Sequence, residues 1–127
     1  MAQVAQRVTA EYHLEALNLN ETQVYIRQRL NVAGAGSRNY FSLQAMAVIY
    51  YFSGGIPRLI NTLCDHAMVL AYANDAEKVQ FDIALEAVKD KRIGGIRRFW
   101  QSPPEAEHTR DLLKISTGVD IDKAVNE

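Results

Sequence analysis

The sequence predicts a mostly α protein: a four-helix bundle preceded by a lone β-strand and followed by an irregular or weakly helical tail. Three observations carry that reading. Apolar residues recur at helical spacing in four blocks, residues that start or stop helices flank those blocks, and period-2 alternation occurs convincingly in one place only. The expected divisions are residues 1–19 as strand and linker, 20–92 as bundle, and 93–127 as linker and tail. A chain of 127 residues with 48% hydrophobic content can build one modest core.

The strand comes first. Tyr12, Leu14 and Ala16 alternate with Glu11, His13 and Glu15 in the manner of a half-buried strand. One strand cannot satisfy its own ladder, so its neighbour must be another chain, a second copy, or sequence outside these residues.

Asn20 followed by Gln23 has the form of a capping box. It opens a helix with Tyr25, Ile26, Leu30 and Ala33 on one face, which Gly34 and Gly36 stop. Ser42 caps a second helix with Leu43, Met46, Ala47 and Tyr50 inward, and Gly54 ends it by supplying a left-handed residue. Pro57 suits the first position of a third helix, because its missing N–H is no loss there. This helix should run to about Asn74 and form the centre of the bundle, with Ile56, Ile60, Leu63, Ala67 and Leu70 on its apolar face. A fourth helix follows Phe81 and Asp82, with Ala84, Leu85 and Val88 inward. Beyond Lys91 the pattern decays through Gly94, Gly95, Pro103 and Pro104. A single short apolar series, Leu112, Leu113 and Ile115, remains in a mostly polar tail.

Charge and composition narrow the function classes. Lys and Arg total 14 against 15 Asp and Glu, a net charge of -1, so no global field draws the molecule to nucleic acid or membrane. No stretch approaches the ~20 apolar residues of a membrane span and no signal-peptide core is present, which reads as cytosolic. The single cysteine, Cys64, falls within a helical pattern and reads as a small buried residue. His13, His66 and His108 lack metal-ligand spacing, and Glu11, Glu15, Glu105 and Glu107 form no catalytic pair. Tyr50, Tyr51 and Phe52 read as bundle core.

The informative segment is Ser53-Gly54-Gly55-Ile56-Pro57-Arg58-Leu59-Ile60-Asn61. Two glycines permit a sharp bend and Pro57 sets the helix start. Arg58 then projects from the first turn, where a guanidinium fork and the positive end of a helix both favour phosphate. Arg58, Asn61, Thr62 and Asp65 share the polar face.

The run GGIPRLINTLCDHAMVLAYA resembles the second-sensor segment of AAA+ ATPases, in the form found in ExeA-like general secretion ATPases and related pilus-biogenesis and exopolysaccharide-export ATPases. QRVTAEYHLEALNLNETQVYIRQRLNVAG is similar to the same family's passage from its last core strand into its helical lid. Together they cover most of residues 6 to 92 and leave the tail uncovered. The resemblance implies that residues 1–19 end the ATPase core and that residues 20–92 are a lid closing over a nucleotide. It also implies that Arg58 approaches the γ-phosphate, with Gly55, Pro57 and Asn61 beside it. Mg-ATP is then the ligand of the whole protein, and its own core domain, sibling subunits and export-apparatus components are the partners, at the cytoplasmic face of the inner membrane. Arg7 lies where related ATPases place an arginine that reaches a neighbour's nucleotide; a solvated or salt-bridged arginine is the other reading.

No G-x-x-x-x-G-K-[ST] loop and no acidic strand end for magnesium occurs in the sequence. The chain is therefore expected to have no hydrolytic centre of its own, with the catalytic parts lying before Met1. A rival reading rests on Lys89, Lys91, Arg92, Arg97 and Arg98 with Phe99 and Trp100. Basic residues interleaved with aromatics suit nucleic acid or a membrane surface, as in a DNA-binding or scaffold module of a transposition or replication ATPase. A short cluster in a chain of slightly negative charge, however, reads first as a solvated helix end.

Overall fold

The computed structural model describes residues 16–32, 40–93 and 104–126. Among these residues it contains six helices: α1 (Leu19–Val32), α2 (Leu43–Ser53), α3 (Pro57–Ala73), α4 (Phe81–Ile93), α5 (Pro104–Thr117) and α6 (Ile121–Asn126). The mostly α class and the four expected bundle helices are present. The strand expected over Glu11 to Leu17 lies outside the described residues except at its end. There Ala16 and Leu17 are in no strand, and Leu17 is buried.

Cap chemistry sets the boundaries, with one correction. α1 starts before the predicted Asn20 cap, because Asn18 and Glu21 form the capping box instead. Asn18 Oδ1 accepts from the Glu21 N–H at 2.8 Å, and Glu21 Oε1 accepts from the Asn18 N–H at 2.9 Å. Asn-x-x-Glu and Asn-x-x-Gln overlap here, and in the first the side chain that reaches back from the third helical position is a charged carboxylate, which the helix dipole favours over a neutral amide. Ser42 caps α2 as expected, accepting from the Ala45 N–H at 3.1 Å. Gly54 ends α2 in the left-handed region at φ 66° and donates to the Tyr50 carbonyl. α3 stops at Ala73, one residue short of Asn74, whose side-chain amide donates to the Leu70 carbonyl.

The centre of the molecule is α2, not α3. Every residue from Ala45 to Ser53 is buried, and α2 packs against α1, α3, α4 and α5. A helix that is apolar all round belongs in the interior. Leu43, expected inward, is exposed at the first position of α2. From α1 the core takes Ile26 and Leu30; from α3, Ile60, Leu63, Cys64, Ala67 and Ala71; from α4, Ile83, Ala84, Ala87 and Val88. A two-residue parallel bridge, Phe41 to Val79, ties the chain before α2 to the chain before α4.

The tail is more regular than a linker with a weak helix. α5 runs for 14 residues and packs on α2, while α6 packs on α4. Ala106, Leu113, Ile121 and Val125 join the same core as the bundle. Of the apolar series expected in the tail, Leu113 faces inward and Leu112 and Ile115 face solvent. The inward face of α5 is Ala106, Thr109 and Leu113, at i, i+3 and i+7, and small and hydroxyl side chains hide such a stripe from an apolar scan. Tyr51 Oη donates to Asp122 at 2.8 Å, fixing α6 to α2.

Candidate functional site

The bend between α2 and α3 is built from backbone. Gly54 and Gly55 both have positive φ, 66° and 77°, which glycine adopts at least cost. The buried Ser53 hydroxyl accepts from the Gly55 N–H at 3.1 Å. The Ile56 N–H donates to the Ser53 carbonyl at 3.2 Å. Ile56 is extended, with φ -80° and ψ 118°, and Pro57 follows at the first helical position. The side chain at the cap position is apolar and makes no capping hydrogen bond, so the first-turn amides of α3 keep their positive end for another acceptor.

Beside this bend runs the chain that leads into α1. The Leu17 N–H donates to the Gly55 carbonyl at 2.9 Å. The approach is so close that a Cβ on Gly55 would collide with the Leu17 carbonyl oxygen.

Arg58 is exposed in the first turn of α3, and among the described residues no hydrogen bond or ion pair engages its guanidinium; its carbonyl accepts from the Thr62 hydroxyl at 3.0 Å. The rest of the polar face is largely occupied by α1. Tyr25 Oη donates to Asn61 Oδ1 at 2.9 Å, and Arg29 pairs with Asp65 at 3.1 Å. Tyr25 thus holds the Asn61 side chain by its oxygen, and among the described residues no bond engages its amide hydrogens. Gly55, Pro57, Arg58 and Asn61, the expected binding residues, lie on this one bend and the first turn and a half of α3. Arg7 lies outside the described residues.

The other expected candidates fall elsewhere. Lys89 and Lys91 are half-buried near the end of α4, and Arg97, Arg98, Phe99 and Trp100 are outside the described residues. His66 is bonded to Asp90 at 2.9 Å across α3 and α4, and His108 is exposed on α5. No group of three or more His, Cys, Asp or Glu that could hold a metal is found among the described residues. No described helix is long and apolar enough to cross a membrane. A concavity of about 580 Å³, lined by Ala76, Lys78, Phe81 and Ile83 among others, contains none of the expected site residues.

Tyr50, Tyr51 and Phe52 are core, as expected, with the last two rings edge to face at 4.9 Å. Burial first, and the Glu105 charge second, push the Tyr50 phenol up to about 12. Sequence reasoning missed Glu105. Its Oε1 accepts from the Leu19 N–H at 3.0 Å, so α5 reaches the start of α1. The available signal was Pro104 with acids behind it, the mark of a helix N-terminus.

No family model matches the chain, and no solved structure matches it. It is 43% identical over 105 residues to general secretion pathway protein A of Aeromonas hydrophila, an alignment covering 80% of this chain and 18% of that protein. The chain therefore spans about a fifth of the length of the curated relative it matches. At that level, over 80% of its residues, this chain resembles an ExeA-like segment, one part of general secretion pathway protein A.

Proposed function

We propose that this bundle is the nucleotide-sensing lid of a secretion-system ATPase, with Arg58 as its second-sensor arginine. The observation that carries the reading is an exposed guanidinium that no hydrogen bond or ion pair engages among the described residues, set by a glycine-proline bend at the uncapped start of α3. Arg29 of α1, by contrast, is held by Asp65 of α3. The similarity to general secretion pathway protein A supports the assignment to an export system.

In this reading a nucleotide-binding core presents Mg-ATP to the bend. Arg58 approaches the γ-phosphate with a bidentate fork of donors, and the first-turn amides of α3 add positive potential behind it. Phosphoryl transfer is catalysed mainly by positioning and charge stabilisation, so an arginine placed by backbone geometry contributes directly. Gly55 and Pro57 place the helix start. Asn61 offers its amide hydrogens one turn further on, held in orientation by Tyr25. Sibling subunits and export components at the inner membrane are the expected partners of the assembled protein.

The test is Arg58→Ala in a protein joining this segment to its phosphate-loop core. ATP turnover is expected to fall about a hundredfold, the usual scale for removing one charge-stabilising donor, with the melting temperature of the lid unchanged. Turnover that matches the unsubstituted protein would overturn the assignment.

A further inference from the structure

We propose that Leu17 to Leu19 form a hinge clasp held from two sides, and that the tail helix α5 sets, through this clasp, the position of the Arg58 bend. The proposal deepens the lid reading and rests on it only for what Arg58 does.

Three consecutive amides in this short segment are committed to three different places. The Leu17 N–H goes to the Gly55 carbonyl at 2.9 Å, and the Asn18 N–H to Glu21 at 2.9 Å. The Leu19 N–H goes to Glu105 at 3.0 Å, across 86 residues of sequence. The first bond joins the segment to the bend, the second starts α1, and the third joins α1 to α5.

Each side has a distinct physical basis. On the Gly55 side the contact is backbone on backbone, at a distance that no side chain at Gly55 would permit. On the Glu105 side a carboxylate meets a helix N-terminal amide, and the positive end of α1 favours the charge. Glu105 is itself held on a firm lever. Ala106 and Leu113 of α5 are buried in the common core, and Arg110 lies 3.8 Å from the α6 carboxylate of Asp122, which Tyr51 of α2 also grips. Without Glu105 the segment, continuous with α1 and capped by Glu21, loses its bond to α5. Gripped also by Glu105, it moves with α1, α2 and α5 as one body, so a change in the chain before Leu17 is delivered to the bend that carries Arg58.

Amide hydrogen exchange read by NMR on the 127-residue chain tests this directly. Leu17 and Leu19 are expected to be protected. Glu105→Ala should speed exchange at Leu19 about fivefold, the effect of losing one helix cap, and should also speed Leu17 and shift the Gly55 amide signal. Leu63 and Ala67, deep in α3, should stay as they were. Glu105→Gln keeps an acceptor oxygen and should restore most of the protection. Exchange at Leu19 as fast as in an unfolded peptide would overturn the clasp. So would a Glu105→Ala effect confined to Leu19 with Leu17 and Gly55 untouched. No nucleotide enters the measurement, so its outcome is independent of whether Arg58 acts on phosphate.

Discussion

A methyl group added at Gly55 would strike the Leu17 carbonyl oxygen, and it would do so at φ 77°, where side chains are strained. Gly55→Ala should therefore lower stability by about 2 kcal/mol or more, combining left-handed strain with overpacking. The urea midpoint checks it, and Gly118→Ala is the control: φ is also 77° but the space around Gly118 is open, so only the strain is added. Cys64 makes a second residue-scale prediction. Its thiol is buried and pushed up from 9.0 to about 12, first by burial, with Arg29 lowering it and Asp65 raising it to a lesser degree. The raised value belongs to the folded state, so the stabilising effect is complete below pH 9 and lost as pH rises toward about 12. Over that window Cys64 should cost up to about 1.4 kcal/mol per pH unit, and Cys64→Ala should flatten the alkaline limb of a stability-pH curve. The buried character of Cys64 was legible from its place in a helical pattern. The special demand on Gly55 was legible only as a bend, because the chain that crowds it arrives from 38 positions earlier.

Helix boundaries follow cap chemistry, and α1 shows how two signals compete. Asn18 with Glu21 and Asn20 with Gln23 both satisfy the pattern, and the structure uses the first. Asn18→Ala should cost about 1 kcal/mol, and Asn20→Ala, at an exposed helical position, less than about 0.5 kcal/mol. Thermal unfolding of the two variants separates the boxes; equal losses would contradict the cap observed. α2 is a different lesson. Its run from Ala45 to Phe52 is apolar on every side, and such a helix is legible as interior. Only if α2 is read as having one apolar face does α3, which has a clear polar stripe, become the expected centre. A helix with a polar stripe is by that fact at the boundary.

At the scale of the molecule, the tail is part of the core. Ile121 is fully buried and belongs to the same cluster as Tyr51, Ile60 and Val88. Ile121→Ala should destabilise the chain by about 2–5 kcal/mol, as for other large-to-small changes in a packed interior. Loss should appear in one transition, not as a separate early melting of the tail; circular dichroism during chemical denaturation is the check. The amino-acid sequence by itself determined the helical class, the four bundle helices, the bend with Arg58 at its exit, and the ExeA-like resemblance. These are written in spacing, caps and a contiguous motif, all of which are local. Only the tertiary structure decided that α2 is central, that α5 and α6 complete the core, that Asn61 and Asp65 serve α1, and that Leu17 and Glu105 meet at the start of the bundle. Those facts depend on which surfaces meet across tens of residues, and amphipathic spacing states that a face will be covered without stating by what.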